Sequence, residues 1–395
     1  MATKYLPILL VSSLITCCIE VDISVPSFPD IARYFNISGS LTQMTIAVNF
    51  FGLCLSSAVC GPLSDSYGRK KVMLVGNIIM AIGACGCTVA DNILFLLLAR
   101  FIQGLGASTS AVVVFAIVAD VYSTKQATKL IGSMNAMITV AMSIAPILGS
   151  FIHEYIGWRG NYGTIALISI SSVLALYYWL PETKTELIEF RYKKVINDFK
   201  RLLSLKSFVY SSLVPSLTSC GWMSFVACSS FLYIDQYDLP IMQYALHQGG
   251  IISAFAFTSL YAGKINKFFG LKQSVIYGVA IMLLGATLLL SVGLTMLPAP
   301  FLTSAAMMVY GIGSAISYPV IFAKSLEIFP DIKGSASSMI MTMRMLLCAG
   351  FVALSSYLYS GPLITVAGLV LLAALFTVIL TMKLLQIISF DEQEN

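Results

Sequence analysis

About twelve apolar runs divide this chain, each near the ~20 residues an α-helix needs to cross the hydrocarbon core of a bilayer. They fall near 5–28, 41–62, 72–90, 93–118, 130–152 and 162–180, then near 208–232, 245–262, 274–297, 301–323, 336–359 and 363–385. With 58% hydrophobic and only 10% charged residues, there is too little polar material to cover a soluble fold of this length, so the bilayer is the solvent. The class implied is an all-α integral membrane protein of about twelve transmembrane helices in two pseudo-symmetric halves.

Charge then orients the chain. With the N-terminus inside, all but four of the 23 Lys and Arg residues fall on the cytoplasmic side. Arg33 and Arg159 remain outside, and Arg100 and Arg344 lie within spans. Both termini are therefore expected to be cytoplasmic, as anionic lipid attracts basic loops. The run at 5–28 has one preceding cation, Lys4, and no small-residue cleavage site before the polar 30–40 stretch, so it reads as a retained first helix. The net charge of +5 is scattered among loops and forms no basic stripe, which argues against a nucleic-acid partner. All nine cysteines lie in or at the ends of apolar runs and read as small core residues. Neither His153 nor His247 neighbours a cysteine pair with zinc spacing, so no metal and no structural disulfide are expected.

The segment 181–206 is the longest polar stretch and separates a first bundle, 1–180, from a second, 207–395, which ends in a short tail. Within it Ile188, Val195, Ile196, Phe199, Leu202 and Leu203 recur at helical spacing, suiting either an amphipathic helix at the membrane surface or a solvated linker. An internal repeat supports the division: Gly61 and Gly68 are echoed by Gly263 and Gly270. The second copy is degenerate, with Lys267 in the place of Asp65 and Leu271 in the place of Arg69.

The turn between the second and third runs reads Gly61-Pro-Leu-Ser-Asp65-Ser-Tyr-Gly68-Arg69-Lys70-Lys71. It resembles the Gly-x-x-x-Asp-Arg-x-Gly-Arg-Arg loop of the major facilitator superfamily at Gly61, Asp65, Gly68, Arg69 and Lys70, with Ser66 replacing a cation. Arg100, Gln103, Gly104 and Gly106 in the fourth run, and Ala145, Pro146 and Gly149 in the fifth, are similar to further motifs of the antiporters, although Ala145 and Ser150 stand where glycines often occur. The segments 22–29 and 329–338 resemble the Bcr/CflA group of drug:proton antiporters, while Ser57 and Cys60 depart from it. The resemblance implies a major facilitator fold in a bacterial inner membrane, small-molecule substrates, protons as the coupling ion, the proton gradient in place of a cofactor, and a monomer.

A charge at the centre of a spanning helix costs about 2.5–3.5 kcal/mol on insertion scales, so Glu20, Asp22, Arg100 and Arg344 need reasons to be there. A carboxyl in a partly dry site that faces an arginine chooses between a proton and that cation, and antiport needs such a competition. Residues two apart lie on opposite sides of a helix. Ser13, Thr16, Glu20 and Ser24 make a polar stripe suited to a water-filled cavity, whereas Asp22 shares its side with Val11, Ile15 and Cys18. The wheel favours Glu20, and the resemblance favours Asp22, with a break near Pro26 and Pro29 able to rotate that end. Both remain candidates, as does a plain structural pair with Arg100. Arg344 has no acid at its depth and suits snorkelling, backbone carbonyls or a substrate.

Asp120 is placed to meet Arg69 and Lys70 at an exposed, conformation-biasing ion pair, and Pro146 and Gly149 suit close helix packing. Asn49, Gln103, Trp222, Tyr233, Tyr310 and Tyr318 are candidate cavity residues, since adaptable apolar walls suit varied ligands. The chain has no phosphate-binding Gly-x-x-x-x-Gly-Lys-Ser/Thr loop, and no acid, base and nucleophile cluster of an enzyme. Proton-coupled export of small apolar drugs is the expected function. Transport of one endogenous metabolite is the alternative, and a membrane enzyme or a sensor is a remoter one.

Overall fold

The computed structural model describes residues 2–184, 187, 189–329 and 332–388. Ile188, the Pro330–Asp331 pair of the second resembling segment, and the tail from 389 onward lie outside the described residues. Contacts divide the chain into two units, Met1–Asn197 and Asp198–Asn395.

In the first unit, α1 (Ala2–Ile19) leads through a 3-10 turn (Val25–Ser27) to α2 (Phe28–Phe35), followed by α3 (Gly39–Tyr67), α4 (Arg69–Thr88), α5 (Ile93–Val121), α6 (Thr124–Ile156) and α7 (Trp158–Trp179). Helix starts follow local chemistry. Ser38 accepts from Leu41 N–H at the head of α3, and Asn92 accepts from Phe95 N–H at the head of α5, each satisfying a donor that the first turn leaves open. The charged turn expected at 61–71 contracts to one residue: α3 runs on to Tyr67, and Gly68 alone reverses the chain at φ +95°, a conformation that favours glycine.

The second unit follows α8 (Tyr192–Ser204), which spans the division, with α9 (Lys206–Ser230), a π-helical extension (Phe231–Gln236), α10 (Ile241–Phe269), α11 (Leu271–Leu294), α12 (Pro300–Glu327), α13 (Lys333–Leu358) and α14 (Leu363–Ile387). Ten of the described helices are long and apolar enough to cross a membrane. Two of the expected spans fall outside that group. The first stops short because α1 ends at Ile19, and α10 is diluted by Gln243, His247, Gln248 and Lys264. The linker reading resolves toward a helix: α8 buries Leu202 beside Phe208, Phe329, Ala336, Met339 and Ile340, with Phe199 partly buried against the same cluster.

Each unit has the same internal packing. Helix α5 packs on α3 and α4, α4 on α7, and α1 on α5, α6 and α7. In the second unit α12 packs on α10 and α11, α11 on α14, and α9 on α12, α13 and α14. The correspondence reaches single atoms. A Cβ on Gly106 would lie 2.2 Å from Met80 N and 2.4 Å from Gly76 O, and one on Gly313 would lie 2.3 Å from Met282 N and 2.4 Å from Gly278 O. Gly270 repeats the positive φ of Gly68. Backbones in close contact at small residues are a usual device of helix packing in lipid.

Of the nine cysteines, all free, eight are buried or half-buried, and Cys85 corrects the core reading by facing outward from α4.

Candidate functional site

Helix α1 ends one residue before Glu20, earlier than the expected break near Pro26 and Pro29. Pro26 contributes to the shift: it has no N–H to give the Asp22 carbonyl, and its ring crowds that carbonyl, which loosens the turn before it. Ile23 N–H still reaches Ile19 O, but Ser24 and Val25 N–H both fall on Val21 O. Glu20 and Asp22 therefore sit in a tightened turn, where the helical wheel does not apply.

Arg100, fully buried on α5, lies 3.8 Å from Glu20 Oε2, with Glu20 itself 1% exposed. That separation is about 1 Å longer than a charge-assisted hydrogen bond. Among the described residues neither Glu20 oxygen finds a hydrogen-bond partner, nor do Arg100 Nε and Nη2. Arg100 Nη1 donates to Gln103 Oε1 at 2.8 Å, its guanidinium lies 5.7 Å from the Tyr162 ring centroid, and its carbonyl accepts from Asn49 Nδ2 at 3.2 Å. Asn49 and Gln103, expected in a substrate cavity, thus gather around Arg100. Asp22 is 4% exposed, and among the described residues no hydrogen bond or ion pair reaches its carboxyl. The structure brings Glu20, and not Asp22, to Arg100.

The polar stripe of α1 is buried and bonded within the first unit. Ser13 and Thr16 are fully buried; Ser13 bonds Asn77 at 3.1 Å and Ser110 at 2.8 Å, and Thr16 returns to Ser12 O. Around the break, α6 comes so close that a Cβ on Gly149 would sit 2.2 Å from Ile23 O. Pro146 lies within α6, and Ala145 joins Ile19 and Ile23 in one apolar cluster.

A second polar group occupies the Gly68 end of the same unit. Arg69 bonds Asp120 Oδ2 and Asp65 Oδ1, both at 2.8 Å, and Ser64 Oγ at 2.5 Å. Lys184 adds a contact to Asp65 at 3.4 Å. The Arg69 side chain is 6% exposed, which corrects the exposed-pair reading. Lys70 contributes its backbone N–H: Glu182 Oε1 accepts from Arg69 N at 2.8 Å and Oε2 from Lys70 N at 3.2 Å. Gly61 lies a turn before Ser64, whose hydroxyl bonds the Gly61 carbonyl.

Sequence reasoning missed Glu182, which also accepts from its own neighbours Thr183 and Lys184. Its signal was an acid directly after the proline that ends an apolar run. Glu182→Ala is expected to lower stability by about 1 kcal/mol, the usual worth of a helix cap. The measurement is thermal unfolding in detergent, and an unchanged midpoint would refute the cap.

In the second unit the expected cavity residues separate. Tyr310 is fully buried and donates to Thr218 O at 2.8 Å. Tyr233, also buried, bonds Ser304 at 2.6 Å and lies against Tyr237, Tyr244 and His247. These two are core. Trp222 is half-buried beside Phe255. Arg344 donates to the Tyr318 hydroxyl and to Met341 Sδ, and among the described residues to no backbone carbonyl. Tyr318 stacks on Phe322. Among the described residues no three His, Cys, Asp or Glu side chains group as a metal would require.

Comparison with known proteins agrees with this architecture. The family model described as Major Facilitator Superfamily matches residues 10–352. The chain is 26% identical to "Chloramphenicol resistance protein CraA" of Acinetobacter baumannii over 91% of its length and 87% of that protein. It is 27% identical to "Bicyclomycin resistance protein homolog" of Haemophilus influenzae, covering 82% of each. "Multidrug resistance protein MdtM" of Escherichia coli K12 is 25% identical over 85% of this chain and 82% of that one. The xylose transporter XylE of E. coli, in a partially occluded inward-open structure, superposes with a TM-score of 0.77 at 16% identity, covering 99% of this chain and all of that one.

Proposed function

The chain belongs to the Major Facilitator Superfamily, and from that premise we propose that it exports small, mostly apolar drugs in exchange for protons by alternating access. The observation that carries the coupling is the broken first helix, which holds Asp22 and Glu20 in the bundle interior with Arg100 facing Glu20. Relatives named for chloramphenicol, bicyclomycin and multidrug resistance support the substrate class. The proton gradient supplies the energy. The protein works as a monomer in a bacterial inner membrane with both termini cytoplasmic, as its basic loops favour.

In this reading the two acids divide the work. Asp22, with no donor or cation to release, takes and gives a proton without breaking a bond in the fold. Glu20 holds Arg100, and a change of charge two residues away alters that attraction in a medium of low dielectric. The Arg69, Asp65 and Asp120 group biases the conformational equilibrium at the other end of the same bundle. Asn49, Gln103, Trp222, Tyr318 and Arg344 remain the side chains assigned to substrate contact.

Energised everted vesicles carrying the wild type are expected to lose luminal protons when drugs of unrelated structure are added. A response to a single polar metabolite, with none to the drug panel, would replace export of drugs by the metabolite reading.

A further inference from the structure

The turns before α4 and α11 repeat each other in backbone but differ in what lies on them. Gly68 has φ +95° and ψ 147°, Gly270 φ +80° and ψ 156°, and glycine has no side chain with which to cap either helix. At the first turn a distant acid fills that need. Glu182, which follows α7, takes the Arg69 N–H on one carboxylate oxygen and the Lys70 N–H on the other, at 2.8 and 3.2 Å. A Cβ on Gly68 would run into that carboxylate. At the second turn the same space is open. Nothing lies within 4 Å of a Cβ on Gly270, and among the described residues no side chain accepts from the N–H of Leu271 or Lys272.

Charge points the same way. Lys264, Lys267 and Lys272 are exposed, and among the described residues none of them meets an acid. Lys264 lies over the Tyr261 ring, 5.2 Å from its centroid. The end of α10, where a helix dipole favours cations, accounts for Lys264 and Lys267. It does not account for Lys272, which stands in the first turn of α11, where the dipole disfavours a cation. Lys70 stands in the matching place with Glu182 to offset it. Around the second turn the chain supplies no offset, since residues 239–326 hold no Asp or Glu. Glu327 lies as far beyond Gly313 as Asp120 lies beyond Gly106, and it is paired with Lys324 of its own helix at 2.9 Å.

The neighbouring rings indicate the kind of anion. Directly before the turn, Phe268 is 81% and Phe269 48% exposed. Phe269 meets Tyr277 of α11 edge to face, with centroids 5.4 Å apart. Aromatic rings and lysines side by side mark the level at which headgroups meet acyl chains. A small anion would satisfy the lysines and leave the rings in water, whereas an anionic lipid covers both.

We propose that the turn between α10 and α11 binds the headgroup of an anionic phospholipid, in the place that the Glu182 carboxylate fills at the turn between α3 and α4. The Leu271 and Lys272 N–H groups donate to the headgroup, and Lys267 and Lys272 supply the counter-charge. The lipid steadies α11 from outside the chain as Glu182 steadies α4 from within it. This inference needs only that the chain spans a membrane, and it stands or falls independently of drugs and protons.

The test uses the purified full-length chain, stripped of lipid in a neutral detergent, with binding of phosphatidylglycerol and of phosphatidylcholine followed by native mass spectrometry. The wild type is expected to hold one phosphatidylglycerol at least about tenfold more tightly than phosphatidylcholine, as each lysine near the headgroup adds to the attraction. A wild type without that preference would overturn the site. Lys267→Gln combined with Lys272→Gln should abolish the preference, with thermal unfolding as the check on folding. Lys193→Gln combined with Lys194→Gln removes equal charge from α8 and should keep it. Equal loss in both pairs would mean a general attraction to basic residues, which also overturns the site. Two further arms decide the occupant. Inorganic phosphate at millimolar concentration should leave the lipid bound; displacement would reassign the turn to a free anion. A chain ending at Ile388, without Asp391, Glu392 and Glu394, should bind as the wild type does. A preference seen only in that shorter chain would show that the protein's own acids cover the turn, and the lipid assignment would fall.

Discussion

Asp22→Asn should still bind drug but no longer drive it: proton release from everted vesicles is expected to fall by about a hundredfold, the scale on which a positioned proton-transfer group matters. Asparagine keeps the size of the side chain and removes only its capacity to ionise. Among the described residues Asp22 has no hydrogen bond or ion pair to lose, so the fold should tolerate the change, with the unfolding midpoint in detergent close to that of the wild type. Drug binding, followed by quenching of the tryptophans, should survive. If proton release were retained in Asp22→Asn and lost in Glu20→Gln, the division of labour between the acids would be reversed.

Glu20→Gln should behave differently because its partner is a buried cation. Removing one member of such a pair leaves the other uncompensated and typically costs about 3–5 kcal/mol. Glu20→Gln and Arg100→Gln are therefore each expected to lower the unfolding midpoint substantially. The double variant should lose less than the sum, with a coupling of about 1–3 kcal/mol. Additive losses would mean that the 3.8 Å approach carries no energy.

These two acids also show where sequence reading stops. The apolar runs, the duplicated glycines and the isolated Arg100 were legible because hydrophobic length, turn chemistry and the cost of a buried charge act locally. The wheel that set Glu20 apart from Asp22 assumed a helix unbroken to the prolines. Pro26 instead loosens the turn before it, and which acid meets Arg100 then depends on a backbone path that no periodicity encodes. Glu182 and Arg69 are 113 residues apart, and Ser27 and His153 are 126 apart. Neither pairing leaves a trace in local pattern. Tyr310 and Tyr318 illustrate a different limit: a tyrosine in an apolar run reads alike whether it ends on Thr218 O, as the first does, or under an arginine, as the second does. The repeat was legible in outline through Gly61, Gly68, Gly263 and Gly270, but its strongest marks, Gly106 and Gly313 against their paired methionines, needed the packing to be seen.

Gly149→Leu is expected to remove both transport and a large share of stability, whereas Gly132→Ala in the same helix should be harmless. A Cβ at position 149 would lie 2.2 Å from Ile23 O and 3.0 Å from Ile23 Cα. These are backbone atoms, which cannot turn aside as the end of a side chain can. Helix α6 would have to retreat from the broken segment, opening the Ile19, Ile23 and Ala145 cluster and pulling His153 from Ser27. Overpacking a close helix contact costs about 1–3 kcal/mol, and here the displaced segment is the one that carries Asp22. Nothing lies within 4 Å of a Cβ at Gly132, so alanine there should raise stability by up to about 1 kcal/mol through helix propensity alone. Thermal unfolding of the two variants in one detergent, together with drug-driven proton flux, decides the matter. Equal behaviour would mean that α6 and the broken helix move freely past one another, and that Gly149 does not couple them.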